Sequence, residues 1–500
     1  MGFGGCKMSL KSVVVILCEV ALVPLATLAA GAGTASTPSY KLELVRKEVA
    51  QYYNASIQWG LDMAVHATDL RSKVVGGAWQ RSSRRAVAIN ATIRRSPAAA
   101  YPAGDRLRLA PAPAPAIEAP VNLGGPASED FVIQLAMGTP AVSFLGIVDT
   151  GSDLVWRQCQ PCSACFPHPT PVFEPFSSQS YRPASCSFPL CAALPKHTSS
   201  CDVDTQTCTY SYGYGDGTTT SGDLILDTLL LPDETGNLQL ATSEFTFGCG
   251  YSQHSGITGE FSVGLGGIVG LGKGDLSLPS QLGVKQFSYC INSMFHVKTG
   301  DKQLSSGSLV LGASEIFDAA VKFAGNAFIS TPLVNVHDSP SLYYINVTGI
   351  SVRKELLDLP AGVFAVQSDG TGGVIVDSGT SFTIFPLLVY QQLEQAMRGY
   401  LLIPAVSYSD FSVCYNSSAF AVDLQNIPPL TFHLEGGDLV VPGENFFVTN
   451  MGMAGDLTCL AVAGLDINFS ILGNLQQRNF LVTYDNSAAT LTFAGPLSCP

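Results

Sequence analysis

Asp149 and Asp377 each stand where an apolar run breaks into a tight turn. The first run reads Ile147-Val148-Asp149-Thr150-Gly151-Ser152-Asp153-Leu154-Val155-Trp156, and the second Val374-Ile375-Val376-Asp377-Ser378-Gly379-Thr380-Ser381. A carboxylate closing a buried strand is costly unless it has a task there. One Asp-Thr-Gly or Asp-Ser-Gly is common and reads as a surface turn. Two of them, one in each half of the chain, suggest a duplicated lobe with a shared carboxylate pair. Two carboxyl groups in one cleft cannot both ionise cheaply, so they share a proton and their apparent pKa values separate. The ionised member can take a proton from a water attacking a carbonyl, while the protonated member donates to the developing oxyanion. Such chemistry calls for no metal, cofactor or covalent intermediate.

The surrounding pattern says what would position the pair. Phe131 to Met137, Gly138-Thr139-Pro140 and Phe144 to Val148 read as strand, turn, strand. Strands resume at Leu224 to Leu231, Glu244 to Gly248 and Tyr343 to Val352. Gly264-Leu-Gly-Gly-Ile-Val-Gly-Leu-Gly272 is too glycine-rich for an ordinary helix and is expected to pass close to another backbone. Ser470-Ile-Leu-Gly-Asn-Leu475 echoes it. Each half therefore holds an Asp turn and, later, an apolar-apolar-Gly segment, which points to an internal repeat. Pro386 to Tyr400 is the clearest helix, with an expected apolar stripe of Leu388, Tyr390, Leu393, Met397 and Tyr400.

Composition narrows the class. The 500 residues exceed one core, charged residues are only 13%, and Gly numbers 49, which favours β structure. A net charge of −13 argues against nucleic acid as partner. Lys7 and Lys11, then an apolar run from Val13 to Ala30 and small residues, read as a secretory signal peptide; Glu19 and Pro24 make a stable membrane span the weaker reading. Without Cys6 and Cys18, the 14 cysteines leave an even set, read as disulfides in a secreted chain. Residues 36–120 lack Cys and carry twelve Lys and Arg against six acids, ahead of a strongly acidic body. That asymmetry suggests a pro-segment held partly by charge. Ser82-Ser83-Arg84-Arg85 and Ile93-Arg94-Arg95 read equally well as processing sites or as solvated linker. Ala110 to Pro115 alternates Ala and Pro and marks a stiff boundary.

Taken together, Gly138-Thr139-Pro140, Asp149-Thr150-Gly151-Ser152 with Trp156, Tyr214-Gly215-Asp216-Gly217, Asp377-Ser378-Gly379-Thr380 and Ile471-Leu472-Gly473 resemble the pepsin-type aspartic proteases, and more narrowly their plant nepenthesin-like branch. A carboxyl pair sharing one proton is that family's known signature. The resemblance covers about 130–500. It implies an all-β, bilobal pepsin-like fold: two pseudo-twofold-related β lobes around a central catalytic cleft, with a few short helices. The implied division is signal peptide 1–32, basic pro-segment and Ala/Pro linker 33–120, N-terminal catalytic lobe 121–330 with a Cys-rich insertion 159–208, and C-terminal lobe 331–500. Asp149 and Asp377 would be catalytic. Thr150 and Ser378 would cross-link the turns, Ser152 and Thr380 would orient the carboxylates, and Gly151 and Gly379 would shape the turns. Tyr214, Gly215, Asp216 and Gly217 would form a flap over substrate, with the Tyr214 hydroxyl in reach of Trp156. The implied disulfides are Cys159–Cys162, Cys165–Cys249, Cys186–Cys208, Cys191–Cys201, Cys290–Cys499 and Cys414–Cys459. The expected partners are polypeptide substrates and the chain's own pro-segment, in a monomer secreted to the apoplast, with the vacuole as alternative. Sequons at Asn346, Asn416 and Asn468 fit that route, as do Asn54 and Asn90.

Cys159-x-x-Cys162-x-x-Cys165 near His168 has metal-like spacing, but the signal peptide and even cysteine count favour disulfides, and no fourth Cys stands at the ferredoxin spacing. A catalytically silent binding or inhibitor protein on the same fold, acting on extracellular enzymes, is the alternative to an endopeptidase. Both Asp turns and Tyr214 being present favours the enzyme.

Overall fold

A computed structural model describes residues 78–90, 117–123 and 131–499, apart from 167–170, 197, 233–236, 255–265, 293–305, 313–327, 338, 369, 402, 424–426, 452–455 and 497–498. The signal peptide, Arg94-Arg95, the Ala/Pro run and His168 lie outside the described residues.

The chain is mostly strand, arranged as two sheet-rich lobes. At the centre of the first, Val142–Asp149 runs parallel to Gly267–Gly270, with Ile147 opposite Ile268 and Val148 opposite Val269. At the centre of the second, Val374–Val376 runs parallel to Ser470–Leu472, with Ile375 opposite Ile471. The two pairings repeat one arrangement, so the internal echo in the sequence is an echo in space. The glycines of the first segment have a steric cause. A Cβ at Gly267 would lie 1.9 Å from the Trp156 carbonyl oxygen, where no side chain fits.

A six-stranded antiparallel ribbon joins the lobes beneath the cleft. Its order is Ile117–Leu123, Ser306–Leu311, Gln286–Ile291, Leu481–Asp485, Thr490–Ala494 and Phe328–Val334. The seam between lobes is Gln286–Ile291 against Leu481–Asp485, with Phe287 opposite Tyr484. Aromatic side chains fill it: Phe287 stacks on Tyr484 at 4.7 Å, and Tyr343 meets Tyr484 edge-on at 4.5 Å. Burial of such rings, with their preferred geometries, makes the seam a shared core rather than a hinge.

The expected helix is Leu387–Tyr400, but its buried face is Val389, Leu393 and Met397, with Leu388 exposed. The i, i+4, i+8 set from Val389 wins because Leu387 and Leu388 begin the first turn outside the core.

Four cysteine links differ from expectation. Cys159 pairs with Cys249 and Cys162 with Cys165, not Cys159 with Cys162 and Cys165 with Cys249. The reason is register: Trp156–Gln158 runs parallel to the strand carrying Cys249, and the Cys159 amide donates to the Gly250 carbonyl, so Cys159 faces Cys249 at a Cα separation of 5.4 Å. Likewise Cys186 pairs with Cys201 and Cys191 with Cys208, in place of Cys186–Cys208 and Cys191–Cys201. Cys191 and Cys208 both turn into the core, whereas Cys201 is exposed. Cys290–Cys499 and Cys414–Cys459 are present as expected.

Candidate active site

Each Asp turn is built where a central strand ends. Asp149 closes Val142–Asp149, and its carbonyl accepts from the Leu271 amide; Asp377 follows Val374–Val376, and its amide donates to the Leu472 carbonyl. The strands thus deliver both turns to the same level, and both side chains are buried. Inside each turn the carboxylate is held twice. Asp149 accepts from the Gly151 amide at 3.0 Å and the Ser152 hydroxyl at 2.5 Å. Asp377 accepts from the Gly379 amide at 2.9 Å and the Thr380 hydroxyl at 2.5 Å. The turns are also tied to each other. The Thr150 amide donates to the Ser378 hydroxyl, and the Ser378 amide to the Thr150 hydroxyl. The two hydroxyls then donate onward to the Val376 and Val148 carbonyls.

Gly151 and Gly379 are required by the approach of the two turns. A Cβ on Gly151 would lie 2.8 Å from both Asp377 carboxylate oxygens, and one on Gly379 would lie 2.2 Å from Asp149 Oδ1. Each glycine backs onto the opposite carboxylate, which puts the two acids face to face.

Between them lies a cation that the motifs did not single out for this role. A helix over 78–90 enters the cleft, and the Arg85 guanidinium bridges the pair: Nη2 is 2.6 Å from Asp149 Oδ1, and Nε 2.9 Å from Asp377 Oδ2. Nη1 donates to the Gly379 carbonyl at 3.2 Å. Burial alone would lower the Arg85 pKa, but the two carboxylates outweigh it, and the group is held charged more firmly than usual. Burial raises Asp377, Arg85 opposes this, and the neighbouring Asp149 charge adds to it; the net shift is upward. The rest of the helix packs on the second lobe. Ala86 sits against Ile375, Ile384 and Ile471, and Trp79 against Phe411 at 6.2 Å. Arg85 was legible only as half of a dibasic pair. The usable signal was a basic segment preceding an acidic body.

Tyr214 tips the hairpin formed by Cys208–Gly213 and Thr219–Pro232. The turn closes through the Gly217 amide to the Tyr214 carbonyl, with Gly217 at φ +87°, and Asp216 accepts from the Thr218 amide and hydroxyl. The Trp156 indole N–H donates to the Tyr214 hydroxyl at 2.7 Å. Gly215 lies directly on the Arg85 backbone, since a Cβ there would be 2.3 Å from Arg85 Cα. The hairpin is thus closed over the helix. Of the three sequons in the body, Asn416 is exposed and Asn346 and Asn468 are half-buried.

A second chemical constellation occurs on the outer sheet. Ser351 Oγ lies 2.7 Å from His433 Nε2, and His433 Nδ1 2.7 Å from Asp438 Oδ1. A serine nucleophile must be reachable, yet Ser351 is buried and Asp438 exposed, the reverse of that need. No group of three or more His, Cys, Asp or Glu fit to hold a metal occurs among the described residues.

Comparison with known proteins adds to this geometry. A family model described as "Xylanase inhibitor N-terminal" matches residues 131–313, and one described as "Xylanase inhibitor C-terminal" matches 342–495. Aspartic proteinase nepenthesin-1 of Nepenthes gracilis is 38% identical over 369 residues, covering 73% of this chain and 77% of that one. Nepenthesin-2 of the same plant is 34% identical over 387 residues, covering 77% and 80%. Among solved structures, that of edgp superposes with a TM-score of 0.60 at 20% identity, over 77% of this chain and 96% of the other, a likeness of fold alone.

Proposed function

This chain belongs to the pepsin-type aspartic proteases of plants and is an aspartic-type endopeptidase, and we propose that Asp149 and Asp377 cleave polypeptides at acid pH once the chain's own basic segment has left the cleft. The observation that carries this reading is the Arg85 bridge: one guanidinium within hydrogen-bond reach of two buried carboxylates, each from a different lobe. Groups that can share one cation can share one water. With Arg85 gone, two facing buried carboxyls retain one proton between them. Their outer oxygens stay fixed by Ser152 and Thr380, so the inner oxygens face the water. The ionised carboxyl accepts a proton as that water adds to the peptide carbonyl, and the protonated one donates to the oxyanion. The proton taken from water then passes to the leaving amine as the C–N bond breaks, and the collapsing gem-diol returns a hydroxyl proton to the other carboxyl, so the pair regains its starting state.

The same bridge supports synthesis as a zymogen. Arg85 fills the place of the water, and the segment around it is helical, whereas a cleavable peptide must lie extended with its carbonyl at the carboxylates. Residues 33–120 would then be the pro-segment and the two lobes a monomeric catalytic body. Six disulfides fit an oxidising compartment, which supports secretion to the apoplast or vacuole. A silent inhibitor of the kind the family descriptions name would need neither the paired acids nor a guard for them.

The test is proteolysis of an unfolded protein after acid incubation. Asp149→Asn and Asp377→Asn should each lose activity by at least about 10²–10⁴-fold, with disulfides intact. Activity retained in either variant would refute the assignment.

A further inference from the structure

Asp153 follows Asp149 by four residues and is used nowhere in the mechanism. Its carboxylate is enclosed by uncharged donors from two places: Oδ1 accepts from the Gly274 amide at 2.9 Å, and Oδ2 from the Ser341 hydroxyl at 2.5 Å. Gly274 lies in the loop that follows the first lobe's Gly267–Gly270 strand, and Ser341 leads into the second lobe. The surrounding backbone is shaped to the carboxylate, since a Cβ on Gly272 or Gly274 would fall 2.3 or 2.2 Å from its oxygens. Ser341 is gripped a second time, its carbonyl accepting from the Lys273 amide at 3.0 Å. Two residues on, the Tyr343 hydroxyl donates to the Leu271 carbonyl, and the Tyr343 carbonyl accepts from the Val376 amide, next to Asp377. A short path of hydrogen bonds thus runs from the Asp149 turn through Asp153, Ser341 and Tyr343 to the Asp377 strand.

We propose that Asp153 is a positioning residue, a latch through Ser341 that, beside the Thr150–Ser378 cross-link, sets the spacing of the two catalytic carboxyls. The inference rests on the Asp149–Asp377 reading. The latch works by hydrogen-bond geometry rather than by ion pairing. Lys273 is the cation beside it, but its ammonium makes no hydrogen bond among the described residues and sits over the Tyr343 ring at 5.7 Å. Burial raises the Asp153 carboxyl pKa, and the hydrogen bonds from Ser341 and Gly274 oppose that rise. A lateral error of an ångström between reacting groups costs up to roughly 10²-fold in rate while leaving distant substrate contacts alone.

The experiment is steady-state peptide hydrolysis by the acid-activated full-length chain, with Asp153→Ala, Asp153→Asn and Ser341→Ala. The expected result is kcat lowered roughly tenfold or more in Asp153→Ala and Ser341→Ala with KM within about twofold, the signature of an interaction felt in the transition state. Asp153→Asn should restore most of kcat, because its oxygen still accepts from Gly274 and its amide can pair with Ser341. Unchanged kcat in both alanine variants, or a loss that Asp153→Asn does not repair, would overturn the proposal. Ser341→Ala keeps the whole backbone grip, so the test survives if Asp153→Ala fails to fold. Asp149→Asn serves as control: if it retains activity the site assignment fails, whereas an inactive control with unchanged Ser341→Ala defeats the latch alone.

Discussion

Thr150 and Ser378 exchange hydrogen bonds across the lobe boundary, amide to hydroxyl in both directions, at 3.0 and 2.9 Å. The exchange makes the two Asp turns one rigid unit, because each hydroxyl is satisfied only if the opposite lobe is in register. All four groups are buried, so removing one hydroxyl strands an amide without water to replace it. Ser378→Ala is expected to lower stability by about 1–3 kcal/mol and to reduce kcat. Chemical denaturation beside peptide hydrolysis would check both, and wild-type values for both would argue against a shared unit.

Arg85 bridges both carboxylates by charge. Arg85→Gln removes the cation but keeps a hydrogen-bonding side chain, leaving two buried carboxylates unneutralised. Docking of the helix should weaken by about 3–5 kcal/mol, the cost of breaking a buried pair. Activity of the uncleaved chain should then appear at a higher pH than in the wild type. Assays across pH on protein whose intact length is confirmed by mass spectrometry would show this; identical pH thresholds would count against the plug.

Burial shifts the Asp377 carboxyl upward, which gives the proposed acid release its expected direction. A carboxyl raised by folding is protonated up to a higher pH than a free one, so its stabilising contribution is full below the unfolded pKa and lost as pH rises through the folded value. Protonation also removes one of the two charges holding Arg85. Release of the 78–90 helix should therefore have its midpoint above about pH 4, the range of an ordinary aspartate. Trp79 fluorescence reports it, since that ring leaves Phe411 on release. In Asp377→Asn the midpoint should flatten or move; an unaltered midpoint would assign the trigger elsewhere.

Tyr214 is held by the Trp156 indole, which fixes the tip of the hairpin at its base. Tyr214→Phe keeps the ring and loses this acceptor. A hydrogen bond of net worth about 0.5–1.5 kcal/mol predicts up to roughly a tenfold fall in kcat/KM. Peptide kinetics at acid pH would measure it, and no change would make the contact packing only.

Much of the fold could be read from local pattern. Phe131 to Met137 and the helix after Pro386 follow from periodicity, and the Gly267 to Gly270 run announces a close backbone approach because glycine has no other reason to be there. The repeated Asp turns are legible for the same reason, as strand ends with an acid that burial would otherwise forbid. What the pattern hides is set by tertiary contact. Cys159 finds Cys249 rather than Cys162 only because strand register brings them together. Val389 rather than Leu388 faces the core because the helix begins after a proline whose direction the neighbouring sheet decides. Arg85 reads as one of a basic pair until the helix is seated on the second lobe. Asp153 lies inside the most conspicuous motif in the chain, yet its partner Ser341 is nowhere near it in sequence.

If Asp149 and Asp377 form one site that Arg85 occupies in the uncleaved chain, a ligand of the pair must displace that guanidinium. Calorimetric titration of that chain with a statine-type transition-state mimic, at neutral and at acid pH, tests it most directly. One mimic should bind per chain at acid pH, none at neutral pH, one at neutral pH in Arg85→Gln, and none in Asp149→Asn or Asp377→Asn. Binding to wild type at neutral pH, or binding that survives both Asp substitutions, would contradict it.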